Sequence, residues 1–176
     1  MSQFFSVHPT HPQQRLLNQA AEIVAKGGLV VYPTDTTYAL GCHNGDKNAL
    51  DRVRLIRRLD KNHDLTLVCR DLSELGSYAR VDNAAYRILK RLTPGPYTFL
   101  LPATREVPRR LVHPKKKTIG LRVPDNPIAL GLLEALGEPM MTTTMRLPGD
   151  ELPLLDPEEI RERLETAVDV VIDGGF

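Results

Sequence analysis

The sequence is poor in the features that announce the commonest protein classes. It holds only two cysteines, Cys42 and Cys69, so at most one disulfide is available and a disulfide-built scaffold is excluded. Both lie in or beside apolar stretches, which points to buried free thiols in a reducing compartment. A metal site would need three or four clustered ligands. No window approaches the roughly 18 apolar residues of a membrane span. The opening Met1-Ser-Gln-Phe-Phe-Ser-Val-His-Pro9 has neither a basic region nor a long apolar core, so no signal peptide is readable and a cytoplasmic location is expected.

Several catalytic and nucleotide-binding signatures are missing too. There is no GxxxxGK[ST] loop, no GxGxxG turn, no HExxH and no GxSxG, which removes P-loop and dinucleotide-binding fingerprints, common zinc enzymes and the usual hydrolase elbow. The five histidines, His8, His11, His43, His63 and His113, are all predicted in loops. His63, beside a basic helix end, is the one of interest. Net charge is only +1, yet it is unevenly placed. Residues 150–176 carry nine acids against Arg161 and Arg163, leaving the first 149 residues strongly basic. Such asymmetry suits an anionic partner for the larger part, or simply a solvated surface.

What remains is an ordinary globular composition, 176 residues with 41% hydrophobic and 26% charged, enough for one domain over residues 1–176 with a buried core. Helical periodicity runs over 13–26, 48–59, 72–78, 83–92 and 128–136, and Asp156-Pro157-Glu158-Glu159 opens another helix. Short apolar runs at 29–33, 65–69, 97–101, 118–123, 140–144 and 168–172 read as strands. Helices and strands interleave, so the fold class is α/β, with a twisted open mixed sheet and helices on its faces. The last strand runs into Gly174-Gly175 and stops at Phe176, from which a chain truncated at its C-terminal end is expected.

Four constellations carry candidate chemistry. Tyr32-Pro-Thr-Asp-Thr-Thr-Tyr-Ala-Leu-Gly41 crowds hydroxyls and an acid into a loop leaving a strand, where α/β folds place ligands, although such residues also serve ordinary turns. Arg52, Arg54, Arg57, Arg58 and Lys61 sit on and just after one helix. Arg57 and Arg58 either reach a cleft as phosphate forks or complement the helix dipole. Arg105, Arg109, Arg110, Lys115, Lys116 and Lys117, against Glu106 alone, suit capture of a nucleic-acid backbone. Arg122 lies in a strand, where burial is costly unless the charge is paired or liganded. Thr142, Thr143 and Thr144 run along another strand into Arg146, and their hydroxyls serve a ligand or merely the sheet.

In order and spacing these segments resemble the YrdC/YciO family, which includes the threonylcarbamoyl-AMP synthases. Tyr32 to Gly41, Pro94-Gly-Pro-Tyr-Thr98, Thr118-Ile-Gly-Leu-Arg-Val-Pro124 and Asn126-Pro127 are similar to its signatures. Met1-Ser-Gln-Phe-Phe5, Asp46-Lys-Asn48 and Cys69-Arg-Asp-Leu-Ser-Glu-Leu75 look like the YciO branch. The resemblance implies a YrdC/RibB-like sheet with a basic concave surface. It also implies an L-threonylcarbamoyladenylate synthase-like nucleotidyltransferase using threonine, bicarbonate and ATP with Mg²⁺ in tRNA modification, with no tightly bound cofactor. The alternatives are a non-catalytic module binding double-stranded RNA or tRNA through Arg109, Arg110, Lys115, Lys116 and Lys117, and a carbamoyl-transfer role. On these grounds Thr34, Thr36, Arg122, Thr142 and Thr143 are expected at the threonine-like ligand, and Arg57, Arg58, Thr118, Thr144 and Arg146 at the nucleotide.

The departures fall where ATP would bind. The family's Lys-x-Arg aligns with Arg57-Arg58-Leu59, its Ser-x-Asn with Thr144-Met145-Arg146, and a histidine with Cys69. Each lost charge-assisted contact is worth roughly 1.5–3 kcal/mol, so synthase activity is expected to be weak unless Arg58 and Arg146 substitute.

Overall fold

The computed structural model describes residues 2–60, 62–63 and 65–175. Its elements run β1 (Gln3–Ser6), α1 (Gln14–Ala25), β2 (Val30–Pro33), β3 (Tyr38–His43), α2 (Lys47–Arg57), β4 (Thr66–Val68), α3 (Leu72–Tyr78), α4 (Asn83–Leu92), β5 (Phe99–Pro102), a 3-10 turn (Arg109–Leu111), β6 (Thr118–Arg122), α5 (Pro127–Leu136), β7 (Met140–Thr144), α6 (Pro157–Leu164) and β8 (Val170–Asp173). All eight strands join one mixed sheet in the order β1-β8-β2-β3-β7-β4-β6-β5. The pairs β1–β8, β8–β2 and β4–β6 are parallel, and the other four antiparallel.

Helix ends follow from their caps. Asp46, Asp71 and Asp82 accept from backbone N–H groups of Ala49, Glu74 and Ala85 at 2.8–2.9 Å, meeting donors the first turn leaves free. Pro157 sits at the start of α6 behind Asp156, as the acid-rich opening predicts. Gly27, at φ +95, follows α1 in a conformation that costs other residues more.

Two strands escape the sequence pattern. β3 takes residues expected in a loop, so Tyr32 to Gly41 is a hairpin: Thr34 N–H donates to Thr37 O at 3.1 Å and β3 pairs straight back along β2. Tyr38 to Cys42 are all buried, hence no alternation betrayed a strand. His43 therefore ends a strand, whereas His8, His11, His63 and His113 lie outside helices and strands. β1 has only four residues, with exposed ends and half-buried Phe4 and Phe5 between them, so no alternation marks it.

The core has two parts, one on each face of the sheet. Val31, Leu40, Leu67, Leu121, Met141 and Val171 pack with residues of α2, α3, α4 and α6. Their strand neighbours Val30, Ala39, Val68, Met140 and Val170 pack with α1 and α5. Both thiols are buried and unbridged as expected; burial pushes the Cys42 thiol up to about 12 and Cys69 upward as well. Among the described residues no helix is long and apolar enough to cross a membrane.

Candidate functional site

Helices α1 and α5 lie over the part of their face around β2 and β3. Farther along that face the sheet is uncovered, and its floor changes from aliphatic to hydroxyl-bearing. Register places Thr66 beside both Thr142 and Gly120, and Ala39 beside Thr144. A Cβ on Gly120 would approach Thr66 Oγ1 to 2.7 Å and Leu65 O to 3.0 Å, so glycine is what lets this floor close up. Thr66, Thr98, Thr142, Thr144 and Arg122 border a small hollow of about 60 Å³. Ligand pockets usually exceed roughly 300 Å³, so this one fits an anchoring group, with the remainder of a ligand lying on the open sheet.

Arg122 stands at the end of β6 with only 14% of its side chain exposed. Its Nη2 donates to Asp35 Oδ1 and, at 3.2 Å, to Thr36 Oγ1. Asp35 Oδ2 accepts from Asp125 N–H at 3.2 Å, and Asn126 Nδ2 donates to Thr34 O at 3.2 Å. The β2–β3 turn and the β6–α5 loop are thereby fastened to each other around the guanidinium. Arg122 Nε is buried without a partner among the described residues, an unmet donor of the kind a ligand satisfies. Thr34 lines the hollow, but its hydroxyl donates to Thr37 O at 2.6 Å, so it builds the turn. Thr36 is exposed beside Arg122.

Tyr32 closes the bottom. Its hydroxyl bonds with Thr142 Oγ1 at 2.7 Å, and burial pushes its pKa up to about 12, so it is neutral at physiological pH. Thr143, one residue on, pairs with Leu40 and also lines the hollow. Its hydroxyl accepts from Arg57 Nη1, which also donates to Thr144 O at 2.8 Å. Burial lowers the Arg57 pKa, and Arg146 nearby lowers it further. Two guanidiniums thus meet by Thr144 with no carboxylate within 4 Å among the described residues.

The remaining predicted residues fall elsewhere. Arg58 is exposed in the left-handed cap after α2, aside from the hollow. Thr118 begins β6, four residues from Arg122, with its buried hydroxyl unpaired among the described residues. Arg109, Arg110 and Lys117 border a separate basin of about 1130 Å³ that shares no lining residue with the hollow. Val107 and Leu111 anchor this segment to the α2 side of the sheet. Lys115 and Lys116 are exposed at its rim. The single basic concavity expected from the sequence is therefore two sites. His63 is exposed, and among the described residues its backbone N–H donates to Asp60 O at 3.2 Å.

Sequence reasoning missed Thr66, Thr98 and Tyr32 as site residues, and gave Asp35 no role of its own. The alternation 66/68 against 118/120/122 could have found Thr66, once the pairing of β4 with β6 was known.

Comparison with known proteins settles the ancestry. The Sua5/YciO/YrdC model, described as "Telomere recombination", matches residues 22–176. The chain belongs to that family. It is 62% identical over 176 residues to YciO of Escherichia coli (strain K12), covering all of this chain and 85% of that one. The crystal structure of E. coli YciO superposes with a TM-score of 0.97, over 100% of this chain and 85% of that chain. More distant Sua5/YciO/YrdC relatives carry activity names: a threonylcarbamoyl-AMP synthase of Chromobacterium violaceum is 33% identical over 144 residues, covering 81% of this chain and 74% of that protein. P. abyssi Sua5 complexed with L-threonine, 27% identical, superposes with a TM-score of 0.89 over 98% of this chain and 50% of that one.

Proposed function

We propose that this family member binds a small amino-acid carboxylate at Arg122 and a nucleotide across Arg57, Thr144 and Arg146, as an L-threonylcarbamoyladenylate synthase-like nucleotidyltransferase. The observation that carries this reading is Arg122: nearly buried, oriented by Asp35 and Thr36, its Nε unmet, over a floor of threonine hydroxyls. A guanidinium so held offers a carboxylate a charge-assisted, directional contact. L-Threonine fits because its own hydroxyl can pair with Thr66 or Thr142 while its methyl meets Val68, all bordering the hollow.

Arg57 and Arg146 then serve the phosphates. Two adjacent cations without acids stabilise charge as it moves onto pyrophosphate, with no side-chain nucleophile needed. ATP would arrive with Mg²⁺ as substrate; the described residues hold no cluster of three or more metal-ligating side chains. Arg146 stands where the synthases have asparagine, and offsets the leucine at position 59. The test is pyrophosphate release from ATP that requires both threonine and bicarbonate. Release above background with both present, and none when either is omitted, is expected. Release indifferent to threonine would remove this reading.

A second reading rests on a different observation. Lys115, Lys116 and Lys117 project from a turn on the far side of the sheet with no carboxylate within 4 Å among the described residues, as a surface tracking tRNA or duplex RNA would. Sequence-independent backbone binding has an affinity that falls steeply with salt. Lysine-to-alanine changes at all three should flatten that slope; an unchanged slope would leave them as solvated charges.

A further inference from the structure

The basin on the α2 side of the sheet is chemically unlike the hollow, and nothing said above about a carboxylate or adenylate uses it. Arg54, Arg80, Arg105, Arg109, Arg110 and Lys117 border it, against Glu106 alone. None of the six cations has a carboxylate within 4 Å among the described residues. Arg110 is steadied from outside, donating to Gly45 O at 3.1 Å. Arg54 Nε is buried without a partner among the described residues.

His113 supplies an independent pointer. It is 8% exposed and borders the basin. Backbone N–H groups of Lys115 and Lys116 donate to its Nδ1 at 3.2 and 3.1 Å. An imidazole nitrogen that accepts carries no proton, so in the neutral ring the proton sits on Nε2. Nε2–H is then a fixed donor, and no described residue accepts from it. Lys117, which follows this turn, is held at φ +60, a conformation uncommon for a side chain of its size. The segment is shaped so that ring and cations border one space.

We infer that this basin is a second anion site, built for a compact polyphosphate carrying three or more negative charges. Six cations and one acid leave a surplus of five positive charges, too many for a carboxylate or a single phosphate. Guanidinium forks and an imidazole N–H suit phosphoryl oxygens in particular. The lining contains no Phe, Tyr or Trp, so it offers no ring on which a base could stack; the phosphate chain itself is the recognised part. The site lies across the sheet from Arg122 and fills independently of it.

The test is titration calorimetry of the full chain with inorganic tripolyphosphate at low salt, with NMR of the His113 ring nitrogens in parallel. Free protein should show the Nε2–H tautomer, and tripolyphosphate should shift the Nε2 resonance. Combining Arg105→Ala, Arg109→Ala and Lys117→Gly should weaken binding about tenfold or more and abolish the His113 shift, while combining Arg57→Ala with Arg146→Ala, which removes the phosphate contacts proposed at the hollow, should leave the His113 shift in place. His113→Asn keeps an acceptor for the turn but is too short to place a donor where Nε2–H stood, so it should bind more weakly yet unfold at the wild-type temperature. Binding lost only in the Arg57 and Arg146 variant would place the anion in the hollow and overturn the inference. So would no binding at all, or binding by a short RNA duplex but not by tripolyphosphate.

Discussion

The side chains of Arg122 and Asp35 are 14% and 12% exposed, so each makes the other's burial tolerable. Replacing only Arg122 by methionine strands the carboxylate of Asp35 and should cost about 3 kcal/mol. Adding Asp35→Asn should restore part of that loss in urea unfolding, whereas additive losses would show the two groups to be uncoupled. Arg122 was legible in the sequence because a cation in a strand demands a partner. Asp35 was not, since only the folded hairpin brings it to the guanidinium from 87 residues away.

Buried acids of the neutral type, Cys69 among them, set an alkaline limit. Tyr32 and Tyr38 are raised from 10.0, and Cys42 from 9.0, each to about 12 and chiefly by burial. The unfolded chain loses these protons first, so above the unfolded values the native state binds more protons and stability falls with rising pH. Stability should be unaffected by these groups below pH 9, then decline between 9 and 12. Cys42→Ala combined with Cys69→Ala should move the onset toward 10. A midpoint flat through pH 11 would contradict the burial of these groups.

At the scale of elements, the site depends on where strands end and helices begin. Asn126 caps α5, accepting from Ile128 and Ala129 N–H at 2.9 and 3.1 Å, and also holds Thr34 O. Asn126→Ala should cost about 1–2 kcal/mol and weaken ligand binding at Arg122, because the turn is released along with the cap. A stability loss with unchanged binding would separate the two roles. Gly120→Ala tests the floor: its Cβ would crowd Thr66 Oγ1 and Leu65 O, costing roughly 1–3 kcal/mol by overpacking and narrowing the hollow. Wild-type stability and binding would mean the floor is looser than the contacts indicate. The helices were readable because caps and 3.6-residue periodicity are local signals. β3 was hidden because both its faces are buried, and the Thr66 floor because strand neighbours are fixed by tertiary pairing.

For the molecule as a whole, one sheet separates two electropositive regions of different character. One face carries hydroxyls with Arg122 at its end, edged by Arg57 and Arg146. The other carries the basin's six cations, which have no carboxylate within 4 Å among the described residues. The charge asymmetry was visible in the sequence, but its division was not, since residues 103–117 had to fold onto the α2 side through Val107 and Leu111 to leave the hollow. Family membership was legible because the motifs keep their order and spacing, whereas activity depends on side-chain directions that order alone does not supply.

The most direct measurement of the Arg122 site is calorimetric titration of L-threonine into the wild-type chain and into Arg122→Met. Saturable one-to-one binding to the wild type is expected, weakened about tenfold or more in the variant. Equal affinity in the two proteins, or no heat of binding to the wild type, would contradict a ligand held by this guanidinium.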